Sequence, residues 1–210
     1  MIMMAKNLST ILEACNIKQK ELWEVTGFFD VVIPYLLEIK IDPEKFLDLC
    51  CGNGLLGMYI ATKTGKQVLA TDTRKTTKYR RLEVAMGQAY DLITYSFRQA
   101  DIQKESFDDD ISENSALVSI HACGQLTDRL IELALQHQKP FAVMPCCHKN
   151  EDPYFTPKDM PRRDGSVALY HDRVRLQYLR EQGFDAHCAT IDKRITSCNR
   201  IIIGTPKESN

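Results

Sequence analysis

The run Asp48-Leu49-Cys50-Cys51-Gly52-Asn53-Gly54-Leu55-Leu56-Gly57 joins an acidic residue to three closely spaced glycines, and Asp72 follows twenty positions after Gly52. Phe46 to Cys50 reads as a strand. Leu55, Leu56, Tyr59 and Ile60 recur at helical spacing, so the glycines fall in a strand-to-helix turn. Glycines let backbone approach a ligand closely, and the open N–H groups of a helix start favour electronegative or anionic groups. An acid at the end of the following strand can accept hydrogen bonds from ribose hydroxyls. The pattern is that of a nucleotide-cofactor site. Asp48, Cys50, Cys51, Gly52, Asn53 and Gly54 form its turn, and Asp72 with Thr73 forms its ribose side.

Two cofactors fit that geometry. Gly52, Gly54 and Gly57 satisfy the G-x-G-x-x-G spacing of dinucleotide sites, a weak signal alone. Asp48 tilts the choice, because an acid at the strand tip would face a pyrophosphate unfavourably but suits a ligand carrying an ammonium and a sulfonium. S-adenosylmethionine is such a ligand. The segment resembles motif I of the class I S-adenosylmethionine-dependent methyltransferases, with small Cys50 standing where the first glycine is usual. The resemblance implies that Asp72 holds the ribose and that Asp101 with Ile102, after the third strand, contacts the adenine.

The elements that must position these residues follow from periodicity. Strands are expected at 45–50, 67–72, 92–98, 116–121 and 141–146, alternating with helices at 55–64, 76–89, 126–136 and 169–182, the last ended by Gly183. That alternation means a mostly parallel α/β sheet with helices on both faces. Two stripes, one from Leu8 to Cys15 and one from Leu22 to Leu36 interrupted by Pro34, predict helices within residues 1–40 that cover the sheet or the cofactor mouth, with Trp23 as a core or lid aromatic. Phe184 to Asp192 and Arg200 to Thr205 lack an intervening helix and predict a hairpin. An antiparallel closing hairpin resembles the Rossmann-like seven-stranded methyltransferase fold.

Length and composition bound the rest. With 210 residues and 44% hydrophobic content, one domain over residues 1–210 suffices. No run has signal-peptide or membrane-spanning character, which predicts a cytoplasmic protein with reduced thiols and no membrane partner. A formal net charge of -1 removes global attraction to nucleic acid and leaves only local basic patches, such as Arg74, Lys75, Lys78, Arg80 and Arg81.

Ligands of open α/β sheets bind beyond the carboxyl ends of the strands. There the fourth strand is followed by His121-Ala122-Cys123-Gly124-Gln125-Leu126-Thr127-Asp128 and the fifth by Pro145-Cys146-Cys147-His148. The residue types match zinc ligands. Neither segment has ribbon spacing, however, and adjacent Cys146 and Cys147 cannot easily aim both sulfurs at one ion, so no metal is expected. His121 or His148 could instead take the proton of a hydroxyl acceptor as the catalytic base. The first-turn acid Asp128 could fix a helix start.

Together the two segments, with Asn199-Arg200, resemble a methyltransferase subgroup that includes the tRNA acceptor-stem 2′-O-methyltransferases, without the zinc-binding modules of the tRNA enzymes. The resemblance implies an RNA acceptor in preference to a small molecule or protein, a substrate side at Cys146 and Cys147, and His121 touching the cofactor as well. Residues 147–169 read as an inserted loop whose Tyr154 could stack on a base while Arg162 and Arg163 meet phosphates. A targeting partner would supply the missing RNA affinity. The rival class is a non-catalytic cofactor- or metal-binding subunit, and the oligomeric state is open.

Overall fold

The computed structural model describes residues 2–146 and 166–207. Helices α1 (Ile2–Ala14) and α2 (Gln19–Glu38) precede an alternating series: β1 (Lys45–Leu49), α3 (Leu55–Thr64), β2 (Gln67–Asp72), α4 (Thr77–Ala89), β3 (Tyr95–Gln99), β4 (Ser115–Ile120), α5 (Gln125–His137), β5 (Phe141–Met144) and α6 (Val167–Glu181). β6 (Phe184–Thr190) and β7 (Arg200–Pro206) close the chain. The seven strands lie in the order β3-β2-β1-β4-β5-β7-β6, parallel except for β7, which inserts antiparallel to both β5 and β6.

The sheet is buried on both faces. On one, Phe46, Val68, Ala116, Ala142 and Ile203 pack against α1 to α4; on the other, Leu47, Leu49, Leu117, Val143 and Ile202 pack with Leu130, Leu133 and Leu179 of α5 and α6. Alternate residues of one strand therefore serve different layers, so β5, Phe141–Met144, reads as an unbroken apolar run, while β1 and β4 are mostly apolar but carry Asp48 and Ser119.

Several boundaries differ from those expected. β3 begins at Tyr95 rather than 92, and β5 stops at Met144, before Pro145. α2 runs through Pro34, which is exposed, and its buried stripe is Leu22, Val25, Phe28, Val32 and Leu36. Phe29 is half-buried and meets the Tyr59 ring edge-on at 5.2 Å. Gly27 permits close docking of the β6–β7 link, since a Cβ there would lie 3.1 Å from Ile191.

Candidate active site

The switch between β1 and β4 leaves a crevice beyond their carboxyl ends, where open α/β sheets bind ligands. A cavity of about 330 Å³ fills it, lined by Asp48, Cys50, Cys51, Gly52, Asn53 and Asp72 of the predicted turn, and by His121 from beyond β4. Glu21 and Glu24 of α2 complete the lining together with Val25, Leu55, Leu56, Ile120 and Leu126. Four carboxylates and no lysine or arginine face this space, a charge set that fits a cationic ligand.

The glycine turn is built around two acids. Asp48, 1% exposed, accepts the Gly57 N–H at 2.9 Å through Oδ2, and Asp72 accepts the Gly52 N–H at 2.9 Å. Thr73 donates its hydroxyl to the other oxygen of Asp72 at 3.2 Å. Gly57 is small enough for the carboxylate to reach it, because a Cβ there would already stand 3.0 Å from Asp48 Oδ2. Burial pushes the Asp48 carboxyl up to about 7 against the opposing Gly57 N–H, and the charge of Asp72 adds to the rise.

Cys50 departs from expectation in a specific way. Its small size is not the whole matter, since its φ of 59° is the left-handed conformation that glycine adopts without strain. Burial lifts the Cys50 thiol to about 12 and the Cys51 thiol higher still, with Asp48 and Asp72 contributing in each case, so both stay protonated. Gly54 also has positive φ, and a Cβ there would fall 2.5 Å from Tyr79 Cε2 and 2.8 Å from the Tyr95 hydroxyl. Those two hydroxyls bond each other at 2.6 Å and hold the rings in place. Gly54→Ala is therefore expected to lower stability by about 2–3 kcal/mol through strain and overpacking, measured by urea unfolding.

α2 reaches the site through two acids spaced one turn apart, which sequence reasoning missed. Asn53 Nδ2 donates to Glu21 Oε2 at 2.6 Å, while Asn53 Oδ1 accepts the Leu55 N–H at 3.0 Å at the start of α3. Glu24 Oε2 lies 3.0 Å from His121 Nε2. Burial would raise the Glu24 carboxyl, but hydrogen bonding and charge from His121, with help from Thr196 and Lys20, outweigh it and hold it below the ordinary range. Glu24 is thus ionised at neutral pH and can only accept, so His121 Nε2 carries the proton. The signal lay in the spacing: Glu24 begins the i+4 series Phe28, Val32 and Leu36, placing a charge within a buried stripe.

His121 follows β4 with φ 69°, and its N–H donates to Met144 O at 2.9 Å, tying the turn to β5. Cys123 Sγ donates to His121 O at 3.2 Å, and Cys146 Sγ lies 4.0 Å from the same oxygen. Asp128 is not an ordinary first-turn acid. It is buried and accepts from Arg175 Nε of α6 at 2.8 Å. No disulfide joins two described cysteines, and among the described residues no three His, Cys, Asp or Glu side chains are arranged to hold a metal.

The remaining candidates fall elsewhere. Asp101 accepts the Gln103 N–H at 3.0 Å, which holds its carboxyl low with further help from Lys104; Ile102 is packed into the core with Leu47 and Leu49. Neither belongs to the cavity lining. Trp23 is half-exposed, neither core nor part of this cavity, and borders a separate groove with Tyr59, Lys63 and Tyr90. Cys147, His148, Tyr154, Arg162 and Arg163 lie outside the described residues. No described helix is long and apolar enough to cross a membrane.

A family model described as a methyltransferase domain matches residues 18–151, well over half of the chain. No curated protein matches the sequence. Among solved structures, an rRNA methylase from Streptococcus thermophilus is similar over 83% of this chain and 93% of its own, with TM-score 0.54 and 15% identity. A magnesium protoporphyrin IX methyltransferase from Synechocystis, solved with bound S-adenosylhomocysteine, is similar over 89% and 84%, with TM-score 0.58 and 12% identity. A ribosomal protein L11 methylase from Lactobacillus delbrueckii subsp. bulgaricus is similar over 90% and 79%, with TM-score 0.57 and 13% identity. At these identities the likeness is one of fold, and the three named acceptors differ in kind.

Proposed function

This chain belongs to the methyltransferase-domain family, and from that premise we propose that it transfers a methyl group from S-adenosylmethionine to an RNA acceptor. The observation that carries the donor is the acidic cavity at the β1–β4 switch. Asp72 offers its remaining lone pairs to the ribose hydroxyls from the end of β2, and the glycine turn Cys50 to Gly54 admits the ligand's backbone-facing side. Asp101 and Ile102, which follow β3 and lie outside the cavity lining, are the adenine contacts that the family resemblance adds to this reading. When bound, the cofactor supplies an activated methyl on a sulfonium, so the protein's task is to align the acceptor and exclude water.

His121 stands at the junction of this cavity with the β4–α5 turn. In our reading the Glu24–His121 pair takes up the proton that a hydroxyl acceptor must lose, with His148 as the second candidate base. The choice of RNA rests on the resemblance carried by His121 to Asp128 and Cys146-Cys147-His148. Cys146 and Cys147 border the acceptor, Tyr154 stacks on a base, and Arg162 and Arg163 meet phosphates. Because the formal net charge is -1, a targeting partner would provide the rest of the affinity.

Calorimetric titration with S-adenosylmethionine, S-adenosylhomocysteine and NAD tests the donor. Micromolar binding of the first two is expected, and Asp72→Ala should weaken it by roughly thirtyfold, the loss of about two ribose hydrogen bonds. Binding of NAD alone would refute the assignment. Radiolabelled methyl offered with RNA, protein and metabolite pools then tests the acceptor: incorporation into RNA that vanishes in Asp72→Ala is expected, whereas label confined to protein or metabolites would reject RNA.

A further inference from the structure

Three thiols gather where the chain leaves β4, β5 and the β6–β7 link. Cys123 Sγ lies 3.2 Å and Cys146 Sγ 4.0 Å from one atom, the His121 carbonyl oxygen, and Cys198 Sγ donates to Cys146 O at 2.9 Å. Two sulfurs that close to a single oxygen are neighbours of each other. The backbones agree, because Ile120 pairs with Met144 at the end of the ladder and the His121 N–H still reaches Met144 O at 2.9 Å. Paired strands run about 4.8 Å apart, inside the roughly 4.4–6.8 Å between Cα atoms that a disulfide spans. Cys123 and Cys146 follow that pair by three and two residues, and both are partly exposed.

The other described cysteines compete poorly. Attack on a disulfide needs a thiolate. Burial raises the Cys15, Cys50 and Cys51 thiols, which therefore stay protonated. Cys188 lies on the edge strand β6, two strands from β5, and Cys198 is turned to the backbone of Cys146 rather than to its sulfur. We infer that Cys123 and Cys146 form a redox-sensitive pair, oxidised by a low-molecular-weight disulfide, whose bond fastens the His121 turn to the end of β5. One protein thiolate attacks the small disulfide, forms a mixed disulfide and expels a thiolate. The second protein thiolate attacks the protein sulfur of that mixed disulfide and expels the other half. The protein gives up two electrons and two protons, and the small disulfide becomes two thiols. The new bond replaces the hydrogen bond from Cys123 to His121 O. His121 lines the cavity and serves as base in the methyl-transfer reading, so the effect on activity rests on that reading, whereas the bond itself does not.

The test exposes the reduced full chain to oxidised glutathione, digests it without reductant and maps the linked peptides by tandem mass spectrometry. A link between Cys123 and Cys146 is expected in the wild type, reversed by dithiothreitol. A glutathione adduct alone, or a link of Cys146 to Cys198 instead, would overturn the inference. The His121 ring resonance should move on oxidation of the wild type and stay in place in Cys123→Ser. An unmoved wild-type resonance would mean that the bond leaves the turn alone, which also overturns it. Radiolabelled methyl transfer to RNA should slow at least about tenfold in the oxidised chain and recover on reduction, as displacement of a positioned group predicts. No transfer by the reduced chain would refute the methyl-transfer reading and leave the peptide map and the resonance to decide the thiol pair.

Discussion

Asp48→Asn is expected to weaken S-adenosylmethionine binding at least about a hundredfold while raising the melting temperature of the ligand-free protein at pH 8. Both effects have one origin. Burial lifts the Asp48 carboxyl to about 7, partly offset by the Gly57 N–H, with Asp72 adding to the rise. Between the ordinary carboxylate range near 4 and about 7, the folded chain therefore holds a proton that the unfolded chain has released. Its stability contribution falls as pH rises through that window and is flat above it. A carboxyl raised that far carries a penalty on the order of 4 kcal/mol when ionised in the folded chain.

Asparagine removes the charge and keeps an oxygen that can accept the Gly57 N–H, although its buried amide takes back part of the gain. A net stabilisation of about 2 kcal/mol, or roughly 4–8 °C, should remain. The same charge is what a cationic ligand meets, so its loss removes a desolvated attraction. In the wild type, affinity should fall as pH drops below about 7, by at most about tenfold for each step of one in pH, because the carboxyl must first give up its proton. Titrations of both proteins at pH 6, 7 and 8 read this directly. If Asp48→Asn binds as well as the wild type and keeps the same pH slope, Asp48 plays no electrostatic part.

The sheet could be read from sequence because its signals are local. Apolar runs at β1, β2, β4 and β5 alternate with helical stripes, and Phe184 to Thr190 meets Arg200 to Pro206 with no helix between them, so the hairpin follows. Residues of the glycine turn were legible for the same reason, being contiguous. Glu21 and Glu24 were not, because their role depends on α2 crossing the mouth of a cavity formed by β1 and β4, a relation between segments about a hundred positions apart. The strain at Cys50 was hidden because sequence shows side-chain size and not φ. Trp23 misled through its apolar neighbours Leu22 and Val25: one step along a helix turns the side chain by about 100°, from core to surface.

Arg175→Met is expected to cost about 3–5 kcal/mol, because it removes the buried guanidinium that pairs with the Asp128 carboxylate. Arg175 is 2% exposed, donates to Asp128 Oδ1 at 2.8 Å and to Gly124 O at 3.3 Å, and stands beside Asp172, which pairs with Arg200 of β7. The i, i+3 spacing of Asp172 and Arg175 reads in sequence as a surface pair, which is why the cluster escapes notice. Its placement joins α5, α6 and β7 behind the turn that carries His121, and the Thr127 hydroxyl donating to Ala122 O tightens that turn from within. Replacing both partners, as in Asp128→Leu with Arg175→Met, should recover much of the loss, since an apolar pair leaves no buried charge unmatched. Urea unfolding of the two single variants and the double variant closes the cycle. Additive losses would mean that the two groups do not act as a pair. With coupling, the site divides by its fastenings: the glycine-turn side hangs on Asp48 and Asp72 at β1 and β2, the β4–α5 turn with His121 on Asp128 and Arg175. Below its melting temperature, Arg175→Met should therefore bind S-adenosylhomocysteine within a few fold of wild type while methyl transfer slows, because only the second fastening has been cut.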